Sequence, residues 1–349
     1  MSSVLVNYFA FSGAQAMRLR VSTGSVAIEA GMSRTLAFLF PGQGSQAVGM
    51  GRDLSDNFPV ARAVFQEADE ALGFSLSALC FAGPEDKLKQ TEFTQPAIVA
   101  VSVAAERVLR AHDVTPSLVA GHSLGEYAAL VSAGVLSFAD ALRAVHARGQ
   151  YMQQAVPAGE GAMAAVLGLG PSAVAEACAA ARAETGLVVS PANLNAPEQT
   201  VISGAAAAVS RAGDLAKAAG AKRVVMLQVS APFHCALMQP AQDRLAALLA
   251  GIDFHDAQVP VLVNVDAAAV VAGSKLREAL VRQVTGAVRW VESMQTVLAQ
   301  APVHLIEVGP GKVLSGLMRQ IDRGQAMLNV EDKASLDKTL AALAQKEEE

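Results

Sequence analysis

Ser123 sits in Gly-His-Ser-Leu-Gly, residues 121–125, which has the Gly-x-Ser-x-Gly spacing of a nucleophile elbow. In so tight a strand-to-helix turn only glycine fits two residues either side of the serine. The turn lifts the hydroxyl clear of the sheet and leaves the Leu124 N–H free to face a developing oxyanion. The positive end of the following helix adds to that field. Spacing alone also fits an ordinary glycine-rich strand–helix turn, so the surrounding chain must decide. His234, in Ala-Pro-Phe-His-Cys after an apolar run, is the best placed of the six histidines to act as a general base. A buried structural histidine is the alternative. His122 reads as packing, since the elbow turns it away from the serine. An α/β-hydrolase would place an acid between serine and histidine in the chain. Asp140, Glu160, Glu184, Glu198 and Asp214 all fall on predicted helices or loops, and none is persuasive. A dyad whose imidazole is oriented by a carbonyl would be consistent with that.

The elements around these residues follow in order. Thr35–Phe40 is a short buried-type strand ending in Pro-Gly-Gln-Gly-Ser-Gln, where glycines let the backbone and Gln43 approach a ligand, or simply form a β–α turn. Helical pattern runs over 52–72. A second helix is expected over 97–112 with Pro96 near its first turn, and a strand over 117–120 feeds the elbow. A helix over 137–154 is N-capped by Ser137, with Asp140 three positions on. It carries Arg143 and Arg148, which do not share a face. On position alone either arginine reads as solvated.

A breaker cluster at 157–161 marks a boundary. Beyond it the pattern is strand 162–167, helix 171–184, strands 187–194 and 200–204, helix 205–219 and strand 223–229, a βαββαβ order that reads as a ferredoxin-like unit. Its place suggests an inserted lid over the elbow, forming one wall of a cleft. The large unit resumes with a helix over 237–249, a strand over 259–263 ending at Asn264, a helix over 276–284 that includes Gln283, and a strand over 303–308. The expected organisation is an extension 1–32 without catalytic duties, a large α/β subdomain from 33–156 and 230–340, a small one from 157–229, and a charged tail 341–349.

Composition excludes several classes. The net charge of −5 argues against wholesale nucleic-acid binding. Three well-separated cysteines, Cys80, Cys178 and Cys235, offer neither a disulfide framework nor a zinc pattern and suit a reducing cytosol. No run of about 18 apolar residues is unbroken, so a membrane-spanning helix is not expected.

Seven motifs then occur together and in order: Phe-Pro-Gly-Gln-Gly-Ser-Gln (40–46), Gly-His-Ser-Leu-Gly-Glu-Tyr (121–127), Arg-Gly-Gln-Tyr-Met (148–152), Ser-Pro-Ala-Asn-Leu-Asn (190–195), Phe-His-Cys-Ala-Leu-Met (233–238), Val-Arg-Trp (288–290) and Glu-Val-Gly-Pro-Gly-Lys (307–312). In these the chain closely resembles malonyl-CoA:acyl carrier protein transacylases over residues 33–340. The resemblance implies an α/β-hydrolase-like large subdomain, with a parallel sheet, carrying a ferredoxin-like small one. It implies Ser123 as nucleophile, His234 as base, Gln43 and the Leu124 N–H as oxyanion hole, and Gln283 as the residue whose carbonyl orients the histidine. Arg148 would hold the free carboxylate of the malonyl group. The partners implied are malonyl-CoA and holo acyl carrier protein, with no cofactor, metal, nucleic acid or membrane, in a cytoplasmic enzyme taken as a monomer. Phe233 departs from the serine that many bacterial fatty-acid members have before the histidine. Malonyl-selective acyltransferase domains of polyketide synthases often have Phe there, which leaves fatty acid and polyketide pathways both open. Lys222, Arg223, Lys275, Arg282 and Lys312 are candidates for a basic rim that meets an acidic carrier. A serine thioesterase or esterase and a non-catalytic carrier-binding homologue are the competing classes.

Overall fold

The computed structural model describes residues 35–229, 231–300 and 303–345. The extension 1–32, Ser230 and the last four residues of the expected tail lie outside the described residues. Within them the chain is an α/β protein built on two sheets.

Strand β1 (Thr35–Phe40) is a continuous apolar run, the pattern of a strand covered on both faces. It lies in the middle of a six-stranded sheet with β2 (Leu118–Gly121), β7 (Val261–Val263), β8 (Ala268–Val270), β9 (Val303–Val308) and β10 (Met327–Val330), in the order β10-β9-β1-β2-β7-β8. The first five in that order pair in parallel, whereas β8 is antiparallel to β7 and closes one edge. The sheet is therefore mixed rather than wholly parallel. Neither β8 nor β10 is expected from the sequence, because runs of three and four residues are too short to show a period.

The second sheet is contiguous in the chain. β3 (Gly161–Leu167), β4 (Val189–Ala196), β5 (Gln199–Ala205) and β6 (Arg223–Met226) lie in the order β4-β5-β3-β6 with every neighbouring pair antiparallel. Two alanine-rich helices, Pro171–Thr185 and Ala206–Ala218, cover one face and share a core of Val166, Val174, Cys178, Ile202 and Val209. The register of β4 against β5 shifts at Pro191/Asn193 and again at Leu194/Ala196. Bulges of this kind re-aim side chains, and this one carries Asn193 and Asn195. The β4 edge is stitched to the other unit through Val288. Leu194 N–H donates to the Val288 carbonyl at 2.9 Å, and Val288 N–H donates to the Ala192 carbonyl at 2.8 Å.

Several helices differ from their expected bounds. The pattern over 52–72 is two helices, Arg52–Asn57 and Pro59–Leu72, because Phe58 before the proline takes an extended conformation (φ −126°, ψ 116°). The next helix starts at Thr91 and encloses Pro96. Proline lacks the N–H that would bond to the Glu92 carbonyl four residues back, and His146 Nδ1 takes that acceptor at 2.8 Å. A side chain from a neighbouring helix thus repairs the defect. The helix Phe138–Gln154 begins as expected, with Ser137 Oγ accepting from the Asp140 N–H at 3.0 Å. The helix Gly273–Gln283 starts three residues early and ends on Gln283, while the last helix, Lys333–Gln345, runs into the stretch expected as a charged tail. Among the described residues no helix is long and apolar enough to cross a membrane.

Candidate active site

The elbow forms at the C-terminal end of β2, next to the end of β1. Its glycines are required by contact as well as by torsion. A Cβ on Gly121 would lie 2.0 Å from the Gly125 carbonyl carbon, and one on Gly125 would lie 2.2 Å from the Phe40 carbonyl oxygen. Between them Ser123 is held at φ 52°, a left-handed conformation rare for any residue with a side chain. Its peptide groups are pinned on both sides. The Ser123 N–H donates to Asn264 Oδ1 at 2.7 Å, and Gln283 Nε2 donates to the Ser123 carbonyl at 3.0 Å.

Ser123 Oγ lies 2.7 Å from His234 Nε2. His234 also has a left-handed backbone (φ 59°) and is only 4% exposed. Its Nδ1 is 2.8 Å from the Gln283 carbonyl oxygen, which can only accept, so the proton sits on Nδ1 and the Nε2 lone pair faces the serine. Burial, reinforced by the nearby Arg148 charge, pulls the imidazole down from 6.5 to about 3. The ring is therefore neutral across the physiological range. The acids considered from the sequence are elsewhere: Asp140, Glu184, Glu198 and Asp214 pair with Arg143, Arg211, Lys222 and Lys217 at the surface, and Glu160 is exposed.

Arg148 departs from the solvated reading that its position invites. It is 2% exposed, with Nη1 donating to Gln95 Oε1 at 2.8 Å and Nη2 donating to Gln283 Oε1 at 3.0 Å and to Ser123 Oγ at 3.2 Å. Its Nε has no hydrogen-bond partner among the described residues, and its guanidinium carbon stands 6.0 Å from the Tyr127 ring centroid. Burial lowers its pKa from the ordinary arginine value. Among the described residues no carboxylate forms an ion pair with it. A buried, cationic, planar donor beside a serine hydroxyl has the charge and geometry to receive a carboxylate.

Gln43, Leu124, Arg148, Phe233, Ser123 and His234 line one cavity of about 180 Å³, and Gln283 lies behind it. Gln43 Nε2 donates to Thr91 Oγ1 at 3.3 Å, which occupies its side chain. The backbone N–H groups of Gln43 and Leu124 donate to no protein acceptor among the described residues. The second sheet supplies the opposite wall through Met163, Asn193, Asn195 and Val201. His122 does pack, 5.3 Å from Trp290 between ring centroids, but it also lines the cavity and bonds Asn195 Oδ1 through Nε2 at 2.8 Å. Sequence reasoning assigned no role to Gln95, Asn264, Asn193, Asn195 or Glu126. All five stand within or beside stretches it singled out, so type was visible and partner was not. Of the candidate rim bases, Lys222, Lys275, Arg282 and Lys312 each pair with a neighbouring acid.

Comparison with known proteins gives consistent matches. The model of the acyl transferase domain family matches residues 37–339. The malonyl CoA-acyl carrier protein transacylase of Escherichia coli K12 is 52% identical over 286 residues, covering 82% of this chain and 92% of the relative. The Bacillus subtilis protein of the same name is 45% identical, covering 88% and 97%. A crystal structure of an acyl carrier protein S-malonyltransferase from Vibrio cholerae superposes with TM-score 0.85 at 51% identity, covering 87% of this chain and 99% of that one. A malonyl-transacylase solved in complex with a type II polyketide synthase acyl carrier protein superposes with TM-score 0.86 at 48% identity, covering 88% and 99%.

Proposed function

Since the chain belongs to the malonyl-CoA:acyl carrier protein transacylases of the acyl transferase family, we propose that Ser123 and His234 carry a malonyl group from malonyl-CoA to the phosphopantetheine thiol of acyl carrier protein. The enzyme is an S-malonyltransferase, and its product supplies extender units for fatty acid synthesis. The observation that carries the residue assignment is the position of Ser123 Oγ, 2.7 Å from the imidazole of His234 and 3.2 Å from the guanidinium of Arg148. One neighbour takes the proton; the other receives the charge that distinguishes malonyl from acetyl.

In the first half-reaction His234 Nε2 takes the Ser123 proton while Oγ bonds to the thioester carbonyl carbon. The oxyanion is held by the backbone N–H groups of Leu124 and Gln43, whose side chain is engaged with Thr91. The carbon–sulfur bond then breaks, and the imidazolium returns its proton to the departing CoA sulfur. In the second half-reaction the phosphopantetheine thiol gives its proton to His234 and attacks the malonyl-serine carbonyl, and Ser123 leaves with the proton returned. The Gln283 carbonyl fixes the imidazole throughout, the task an acid performs in a triad. Arg148 binds the malonyl carboxylate, where each charge-assisted hydrogen bond contributes roughly 1.5–3 kcal/mol. Phe233, beside the base and on the cavity wall, leaves little room for a 2-methyl branch, so malonyl is preferred over methylmalonyl. The same residue keeps a polyketide carrier as a second acceptor.

The architecture behind this is a large α/β-hydrolase-like unit from 33–156 and 230–340 with a ferredoxin-like unit, 157–229, inserted as a lid. The antiparallel order β4-β5-β3-β6 and the site's position at the ends of β1 and β2 support that division. The enzyme acts as a monomer in the cytoplasm, where three buried free cysteines remain reduced.

Intact-protein mass after brief incubation with malonyl-CoA tests the function. A malonyl adduct, absent in Ser123→Ala and discharged by holo acyl carrier protein, is the expected result. Free malonate accumulating without carrier would make the protein a thioesterase instead.

A further inference from the structure

Glu126, the second residue of the helix Gly125–Ser132, is 1% exposed. Its Oε2 accepts from the Asn264 N–H at 2.9 Å and from Gln283 Nε2 at 3.1 Å. Both partners hold the reacting groups. Asn264 Oδ1 receives the Ser123 N–H at 2.7 Å, while Gln283 offers Oε1 to Arg148 at 3.0 Å and its backbone carbonyl to His234 at 2.8 Å. An ionised carboxylate only accepts, so it obliges Gln283 to turn Nε2 toward itself and Oε1 toward Arg148. One amide therefore bridges a buried anion to a buried cation.

The cation needs such a partner. Among the described residues Arg148 has no carboxylate at ion-pair distance, and an uncompensated charge in a low-dielectric interior is strongly disfavoured. The other charges that Glu126 feels, Asp266 and Arg282, are paired with each other through two hydrogen bonds of 2.8 and 2.6 Å, so their fields largely cancel. Burial pushes the Glu126 carboxyl up to about 7, against the pull of its two N–H donors and of the Arg148 charge, so that it is ionised at pH 8.

We propose that Glu126, acting through the Gln283 amide, is the counter-charge that offsets the buried guanidinium of Arg148 and holds it aimed at Ser123 Oγ while no acyl group is present, and that the malonyl carboxylate takes over this partnership on binding. The proposal rests on the reading of Arg148 as the malonyl receptor. Glu126 is a positioning residue, and its charge opposes that of the substrate. Glu126→Gln removes the charge and leaves one oxygen to accept from both N–H groups, with an amide NH2 in place of the other oxygen. It withdraws the attraction between the two buried charges in the free enzyme and at the same time raises the positive potential that malonyl meets.

The test is a double-mutant cycle at pH 8 with the full chain, Glu126→Gln, Arg148→Ala and the double variant. Thermal midpoints of the free proteins come first. Glu126→Gln shifts the midpoint less favourably when Arg148 is present than in the Arg148→Ala background, where the carboxylate has no cation to offset. An equal shift in both backgrounds overturns the proposal. Should Glu126→Gln alone not fold, recovery of folding in the double variant supports it, and failure of both overturns it. Steady-state transfer to holo acyl carrier protein comes second. Removing the opposing charge lowers the KM for malonyl-CoA by roughly three- to tenfold and leaves that for acetyl-CoA in place. A malonyl-CoA KM that rises together with the acetyl-CoA value overturns the proposal. If the parent itself forms no malonyl-serine, the functional reading falls, while the midpoints still judge whether Glu126 and Arg148 are coupled.

Discussion

In the proposed mechanism two neighbours divide the work at Ser123, the His234 imidazole at 2.7 Å as acceptor of the proton and the Arg148 guanidinium at 3.2 Å as bearer of positive charge. On that proposal only the second distinguishes one acyl group from another. Arg148→Ala removes it, and the rate of Ser123 acylation by malonyl-CoA falls roughly ten- to a hundredfold, the equivalent of one charge-assisted hydrogen bond. Acylation by acetyl-CoA, which has no carboxylate to lose, changes little. Intact-mass time courses with the two thioesters measure this, and an unchanged ratio would remove Arg148 from the assignment. His234 gives a pH signature. Its folded pKa of about 3 lies below the ordinary 6.5, so the unfolded chain binds the proton more readily. The stability this contributes is complete above pH 6.5 and is lost as pH falls toward 3, at up to about 1.4 kcal/mol per pH unit. Glu126 has the opposite sense, since a carboxyl raised to about 7 favours the fold at low pH and loses that advantage as pH rises through 7. The two overlap, so the histidine is isolated by difference. Urea unfolding of the parent and His234→Gln between pH 7 and 4.5 should show the parent losing stability relative to the variant as pH falls. A constant difference would mean that the imidazole is not held neutral.

Among the elements, the elbow owes its shape to contacts between backbones. The Cβ that alanine would add at Gly125 meets the Phe40 and Pro41 carbonyl oxygens at 2.2 and 2.7 Å, and neither can swing aside as a side chain would. Gly125→Ala therefore separates β1 from the helix Gly125–Ser132, with a loss of at least about 1–3 kcal/mol from overpacking. It also displaces Ser123, so malonyl-serine formation drops beyond what the stability change explains. Chemical denaturation together with adduct formation separates the two effects, and a variant with parental stability would refute the contact argument. The helix Thr91–Arg110 works differently. Pro96 leaves the Glu92 carbonyl unpaired within the helix, and the helix that carries Arg148 fills the gap through His146. A local defect thereby becomes a tie between the helices that bear Gln95 and Arg148, which hydrogen-bond at 2.8 Å.

For the molecule as a whole, the cavity exists only where the two sheets meet. The join includes the backbone hydrogen bonds between β4 and Val288 and the His122–Asn195 contact at 2.8 Å. Trp290, the single tryptophan, lies against His122 and is fully buried. Its fluorescence therefore reports on the join. If the sheets unfold together, the urea transition followed by Trp290 coincides with the one followed by far-ultraviolet circular dichroism. Asn195→Leu, which leaves the imidazole without its partner, shifts both transitions to lower urea by the roughly 1–3 kcal/mol of an unsatisfied buried polar group. A fluorescence transition that precedes the other would show the join opening before the sheets.

The amino-acid sequence by itself carried what depends on neighbours along the chain. The glycine spacing of the elbow, the Ser137 cap and the six elements of the small sheet are all local, because torsional limits and hydrophobic period act over a few residues. The types of the candidate site groups were likewise legible, and seven motifs in order pointed to the family. Tertiary structure decided the rest. Whether Arg148 is solvated or buried, how one Gln283 meets both His234 and Arg148, and how β8 and β10 complete the large sheet depend on partners far away in the chain. Asn264 meets Glu126 across 138 residues, and Gln283 meets Ser123 across 160. Such pairs leave no periodic trace, since their energy comes from burying polar groups together, and burial is a property of the folded whole.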